Sequence, residues 1–186
     1  MSRPIFLTRQ KAARVHELTI RLLEQTGIAV NHEEAEDLYL RGGAKKDAEG
    51  RILIPRAMVQ KALIRVFRRI PLFNRDGKRA FVARKGTVQF GPGSDALYNV
   101  DKHTGEIRPS VLTDIAENVR IADALSGFGF VMSMALPSDA PQQKLYAVVF
   151  AEMVKHTTKP LVVTATSRSD LEQIHHVACL VAGGEE

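Results

Sequence analysis

The sequence predicts an α/β protein in two sections, with helices and antiparallel β-hairpins over 1–110 and parallel βα units over 111–186. From Val111 onward, helical stretches alternate with apolar, β-branched runs over short connections, which is the grammar of βα units. Between Pro71 and Ser110 the apolar period shortens from that of helices to that of strands. Before Pro71, amphipathic stretches are separated by glycine stops.

The first helix starts at Thr8, whose hydroxyl can cap it, shows an apolar stripe of Ala12, Val15, Leu18, Leu22 and Leu23, and stops at Gly27. Asn31 with Glu34 resembles a capping box for a second helix through Ala35, Leu38 and Tyr39, ended by Gly42-Gly43. A turn at Glu49-Gly50 precedes a short strand, Arg51 to Ile54, and Pro55 opens a third helix with Met58, Val59, Ala62, Leu63 and Val66 on its face. Asp76-Gly77 between Leu72-Phe73 and Ala80-Phe81-Val82 is a hairpin signal. Thr87 to Phe90 reads as a strand halted by Gly91-Pro92-Gly93. Leu97 to Val100 and Glu106 to Arg108 flank a longer turn, with Gly105 placed for φ > 0.

Thr113 is the expected cap of the next helix, through Ile115, Val119, Ala122 and Leu125 to Gly127. Phe128 to Leu136 reads as a buried strand, Pro141 opens a helix through Leu145, Val148, Val149, Phe150 and Met153, and Leu161 to Thr166 reads as another strand. Ser167 with Asp170 caps the last helix, which runs through Leu171, Ile174, Val177, Ala178 and Val181 to Gly183-Gly184.

Composition narrows the functional classes. With 186 residues, 45% hydrophobic and 25% charged, the chain has the balance of a folded globular protein. Lys and Arg outnumber Asp and Glu by 26 to 21, a net charge of +5. The basic residues fall in small groups (Lys45-Lys46, Arg65 with Arg68-Arg69, Arg75 with Lys78-Arg79, Arg84-Lys85), read as a solvated basic face. Without tryptophan and with 3 tyrosines, there is no aromatic platform for nucleic acid. No apolar run reaches the roughly 20 residues of a membrane span, and Met1 to Phe6 lacks the apolar core of a leader. Cys179 is the single cysteine, so no internal disulfide or Cys-rich metal site is expected and the expected setting is reducing and cytoplasmic. Neither a Gly-x-Ser-x-Gly elbow nor a phosphate loop is present.

Several stretches resemble, in order, one known family. They are Val15-His16-Glu17 through Thr26-Gly27-Ile28-Ala29-Val30, Gly42-Gly43-Ala44-Lys45, Arg51 to Pro55 and Phe90-Gly91-Pro92-Gly93-Ser94. Asp101 to Pro109, Lys159-Pro160-Leu161 and Ala182-Gly183-Gly184-Glu185-Glu186 continue the series. The family is that of the trimethylamine methyltransferases, corrinoid-dependent enzymes that demethylate methylamines and betaines. The resemblance implies a TIM (β/α)8 barrel preceded by helices and hairpins, a small methylated amine as substrate, and a cobalt corrinoid carried by a separate partner protein and not bound directly by this chain. It leaves a homo-oligomer open. The family's archetype has pyrrolysine in a later part of its sequence, which this chain does not reach. A barrel needs about 200 residues and eight strands, whereas 111–186 supplies a few βα steps. The expectation is therefore an incomplete barrel, the N-terminal portion of a longer enzyme.

Barrel sites lie on loops after strand C-termini, and a methylammonium suits aromatic faces and a carboxylate. The expected substrate-binding residues are therefore Phe90, Gly91, Gly93, Ser94, Asp95, Tyr98, Ser133, Thr164 and Thr166. Gly91 and Gly93 permit close backbone approach, Asp95 offers a cation partner, Phe90 and Tyr98 offer rings, and the hydroxyls could face a barrel mouth. The alternatives are a tight turn with a solvated Asp95, core aromatics, and hydroxyls bonded to local backbone. Glu172, His175 and Cys179 share a helix face, but zinc usually needs four convergent ligands, so a packed or solvated face is expected and no metal. His156 is expected to meet the terminal carbonyls of its helix, His103 to face solvent, and His16 to be structural. Two rival functions are a non-catalytic fragment or binding module of the same fold, and an unrelated βα-barrel hydrolase or lyase.

Overall fold

The computed structural model describes residues 7–184. Met1 to Phe6, read above for a leader, and Glu185-Glu186 of the terminal motif lie outside the described residues. The chain separates into two compact units, one ending at Phe67 and one beginning at Arg68; the composition shift at Ser110 falls inside the second. Helices and small antiparallel sheets make an α/β protein, and among the described residues no closed barrel forms. No described helix is long and apolar enough to cross a membrane.

The first unit comprises α1 (Arg9–Gln25), α2 (Glu33–Arg41), β1 (Lys45–Lys46), β2 (Ile52–Leu53) and α3 (Arg56–Arg65). Thr8 caps α1, its hydroxyl accepting from Lys11 N at 3.2 Å. Of the expected stripe, Leu23 packs against the core, while Ala12, Val15, Leu18 and Leu22 are exposed, and Ile20, outside the stripe, is the buried residue of this helix. On the side of Ile20, Glu24 reaches the first turn of α3, where it accepts from Arg56 N at 2.7 Å, and Glu17 pairs with the Arg56 guanidinium. The cap of α2 is His32 rather than Asn31, with Nδ1 accepting from Ala35 N at 3.4 Å; Glu33, Glu34 and Glu36 then fill the first turn, where the helix dipole favours them. Ala44, Ile52 and Ile54 form the core, packed by Leu23, Ile28, Tyr39 and Met58. Gly27, at φ 67°, brings the chain against β2, where Ile28 and Ile52 exchange backbone hydrogen bonds at 3.1 and 2.8 Å.

In the second unit the hairpins form as the turn signals require: β3 (Arg69–Phe73) pairs with β4 (Arg79–Arg84), and β5 (Tyr98–Val100) with β6 (Ile107–Pro109). They are separate two-stranded sheets. Helix α4 (Leu112–Ala124), a 3₁₀ turn (Gln142–Lys144), α5 (Leu145–His156) and α6 (Arg168–Ala182) follow. Thr113 does not cap α4. Val111 holds that position, its N–H donating to Asp114 Oδ2 at 2.9 Å, while Leu112 N donates to Asp139 Oδ1 at 2.9 Å. Ser167 and Asp170 cap α6 reciprocally, and Gly183 at φ 99° ends it.

The expected strands Thr87 to Phe90, Phe128 to Leu136 and Leu161 to Thr166 are not regular. They are extended segments joined by single parallel bridges: Phe90 to Phe128, Ala96 to Ala135, and Val131 to Leu161. A parallel ladder needs uninterrupted extended backbone, and Asp95 at φ 64° and Met134 at φ 62° break it. Burial still alternates from Val131 to Pro137 with the period of a strand. Val131 and Ala135 pack under Ile115, Val119 and Ala122 of α4 and Leu145, Val149 and Met153 of α5. Cations fill the exposed helix C-termini: Lys159 Nζ donates to the carbonyls of Ala122 (3.0 Å) and Leu125 (2.8 Å), and the Arg75 guanidinium donates to those of Val154 and Thr157.

Candidate substrate site

The run Gly91 to Asp95 is not a loop beyond a strand end. It lies within the first extended segment and is bonded along the second: Gly129 N donates to Phe90 O at 2.8 Å, Met134 N to Gly93 O at 3.0 Å, and Leu136 N to Ala96 O at 3.0 Å. A Cβ at Gly91 would run into the Phe130 ring, so glycine is what lets the two segments close up there. Asp95 and Met134, the non-glycine residues with positive φ among the described residues, sit in this same patch. Left-handed backbone at non-glycine residues is costly and gathers at functional sites. Ser94 Oγ donates to Asp95 Oδ2 at 2.7 Å and so fixes the direction of an exposed carboxylate.

The other expected residues fall in differing surroundings. Phe90 and Tyr98 are 67% and 63% exposed, with ring faces open rather than packed in a core. Ser133 is buried and shares the parity of Val131 and Ala135, the pair packed under the helices. Thr164 is half-buried just beyond the Leu161 bridge. The Thr166 hydroxyl donates to Asp170 Oδ2 at 2.9 Å, within the cap of α6. The structure thus brings Phe90 to Asp95 against Gly129 to Ala135, and leaves Thr166 in a helix cap. A cavity of about 470 Å³ in this unit lies elsewhere, lined by Phe73, Phe150, Leu161 and Val181; its cations Arg75 and Lys159 are committed to helix carbonyls.

His156 does not play the terminal role expected of it. His156 Nε2 meets Glu152 Oε1 at 2.9 Å and its Nδ1 accepts from Arg120 Nε at 3.3 Å, instead of meeting the α5 carbonyls, because those are taken by Arg75. Lys155, then His156, hold Glu152 below the usual carboxylate range. On α6, Glu172 pairs with Arg168 at 2.7 Å, and Cys179 Sγ lies 3.7 Å from His175 Nε2. No three His, Cys, Asp or Glu side chains converge among the described residues.

A carboxylate–guanidinium network that the sequence reading missed anchors β5–β6 to α4. Arg108 grips Asp114 with two nitrogens at 2.7 and 2.8 Å and reaches Asp101 at 3.2 Å. Asp114 is 5% exposed. The acid three residues after Val111, at the helix start, was the available signal. The Arg108 guanidinium, above all, lowers Asp114 below its ordinary value. The backbone amides of His103 and Thr104, then Arg108, pull Asp101 down to about 2. Both groups bind a proton less readily folded than unfolded, so their contribution is complete above the unfolded carboxylate range near pH 4. It is lost as the pH falls toward about 2. Acid titration followed by circular dichroism is expected to show stability falling across that window, and falling less in Asp101→Asn.

The family model described as trimethylamine methyltransferase (MTTB) matches residues 3–186. The chain belongs to the trimethylamine methyltransferase family. Within it, the trimethylamine methyltransferase MttB of Desulfitobacterium hafniense (strain DSM 10664 / DCB-2) is 27% identical over 92% of this chain and 35% of the relative. The glycine betaine methyltransferase of Desulfitobacterium hafniense (strain Y51) is 26% identical over 97% of this chain and 37% of the relative. The chain therefore spans a little over a third of the length of these trimethylamine methyltransferase family members.

Proposed function

We propose that the protein carrying this chain moves a methyl group from a methylated amine, trimethylamine or a quaternary amine such as glycine betaine, to a corrinoid held by a separate protein. Family membership over residues 3–186 carries the reading. The parallel order of the three extended segments, with α4 and α5 between them in sequence, supports the opening steps of a (β/α)8 barrel. A cytoplasmic setting accords with a lone cysteine.

The reduced corrinoid supplies the nucleophile that takes the methyl group, while the amine keeps the C–N electron pair. A quaternary ammonium leaves as a neutral amine, whereas a neutral tertiary amine needs activation. With no convergent metal-ligand set among the described residues, none is assigned to cobalt. The work of this chain is to bind and aim the cation. Asp95, oriented by Ser94, offsets its charge, and the open faces of Phe90 and Tyr98 receive its methyl groups. Gly93, with open space where a Cβ would stand, keeps the backbone bare beside it, and Gly91 lets the Phe130 ring close the two segments. Thr164 adds a half-buried hydroxyl, and Thr166 ties the third segment to α6. Ser133, turned toward the helices with Val131 and Ala135, serves packing rather than the cation.

The test is tetramethylammonium binding by calorimetry, using protein expressed from its own complete gene. Asp95→Asn is expected to weaken binding about tenfold or more by removing the charge partner. Asp95→Gly is expected to raise Tm, since it relieves left-handed strain of up to about 1 kcal/mol, while also weakening binding. Unchanged affinity in both variants would refute the assigned site.

A further inference from the structure

The β3–β4 hairpin and the segment after it concentrate the chain's positive charge. Residues 68–90 carry seven Lys and Arg against Asp76 alone, a surplus of six, whereas the whole chain carries +5. Arg75 is committed to the carbonyls of Val154 and Thr157. Arg68, Arg69, Lys78, Arg79, Arg84 and Lys85 form no ion pair among the described residues.

Strand register sorts these cations. Arg69 stands directly opposite Arg84, Pro71 opposite Val82, and Phe73 opposite Arg79 after the irregularity at Leu72/Phe73. Paired residues point the same way and alternate residues repeat the direction, so these six share one face. Leu72 and Phe81 share the other face, where Phe81 borders the space beside Gly129. The outer face is thus an arginine-rich surface with an apolar middle, and Phe73 is exposed on it. Like charges directly opposite each other destabilise a hairpin. Carboxylates from outside would remove that cost, and guanidinium groups bind them with two parallel hydrogen bonds.

The extent of the face selects the occupant. From Arg69 to the level of Phe73 is about 13 Å of strand, too far for one small anion to bridge. Single-stranded nucleic acid would need a series of stacking rings, and Phe73 is the aromatic residue this face offers. An acidic protein surface meets both requirements. We infer that this face docks the acidic surface of the protein that accepts the methyl group, an inference that rests on the function proposed above.

The experiment measures methyl-transfer kinetics with the cognate corrinoid protein, using protein expressed from its complete gene. Charge reversal in Arg69→Glu/Arg84→Glu is expected to raise KM for the corrinoid protein about tenfold or more, leaving KM for the amine unchanged. Arg69→Lys/Arg84→Lys should restore part of the loss, keeping the charge but not the paired hydrogen bonds, and added salt should raise the wild-type KM for the corrinoid protein. Circular dichroism checks that the variants fold; if the Glu pair does not, Arg69→Gln and the salt series carry the test. Transfer that persists with KM for the corrinoid protein unaltered by reversal, Gln substitution and salt would overturn the docking face while leaving the proposed function standing. Absence of transfer by the wild type would overturn both. Tighter binding to a single-stranded oligonucleotide than to the corrinoid protein, abolished by charge reversal, would assign the face to nucleic acid instead.

Discussion

Gly27→Ala is expected to destabilise the first unit by about 2–4 kcal/mol, combining left-handed strain with a steric clash. At φ 67° an alanine pays the strain that glycine avoids. Its Cβ would also lie 2.5 Å from the carbonyl oxygen of Ile52 and 2.9 Å from Leu53 Cδ2. The obstacle includes backbone, so rotating a side chain does not relieve it. Moving the backbone would disturb the reciprocal bonds between Ile28 and Ile52, and Ile52 is the fully buried centre of this unit's core. The check is chemical denaturation of wild type and variant, with Gly43→Ala as a control. Gly43 also has positive φ, at 102°, but nothing lies within 4 Å of an added Cβ, so it reports strain without the clash. A loss at Gly27 no larger than at Gly43 would contradict the close approach.

Asp114→Ala is expected to cost about 2–4 kcal/mol, because it deletes a buried carboxylate with several partners at once. The Val111 N–H at the start of α4 loses its acceptor, which alone is worth about 1 kcal/mol at a typical cap. Arg108 loses both bonds of its grip and keeps Asp101 and the Pro109 carbonyl. Asp114→Asn retains the shape and an acceptor but not the charge, so it is expected to fall between wild type and alanine. Thermal melts of the three proteins decide the matter. Equal Tm in all of them would mean that the network does not hold the hairpin to the helix.

Local elements were legible in the sequence wherever a short-range signal had one physical meaning. Thr8 and the Ser167–Asp170 pair cap the helices they precede, and Asp76-Gly77 turns its hairpin. Facing directions were less legible. Val15, Leu18 and Leu22 of the expected stripe have helical spacing but are turned outward, whereas Ile20 is buried on the side where Glu17 and Glu24 meet Arg56, a partner far along the chain that spacing does not show. The caps at His32 and Val111 were displaced because a ring nitrogen, not the Asn31 carboxamide, takes a first-turn amide, and because the Asp114 carboxylate reaches back to the Val111 N–H, leaving Thr113 inside the helix. The apolar runs from Phe128 and Leu161 carry the parallel order, but two left-handed residues reduce their ladders to single bridges. Positive φ at Asp95 and Met134 has no signature in composition or period. It places the Gly91 to Asp95 run alongside Phe130 to Met134 rather than beyond a strand end.

The most direct measurement follows an isotope-labelled methyl group from trimethylamine or glycine betaine to a reduced corrinoid protein, with protein expressed from its complete gene. The corrinoid protein is first shown to accept methyl from a chemical donor. Label appearing on the corrinoid, with one methyl lost from each amine consumed, is the predicted result. A competent corrinoid protein that receives no label from any tertiary or quaternary methylamine would contradict the account.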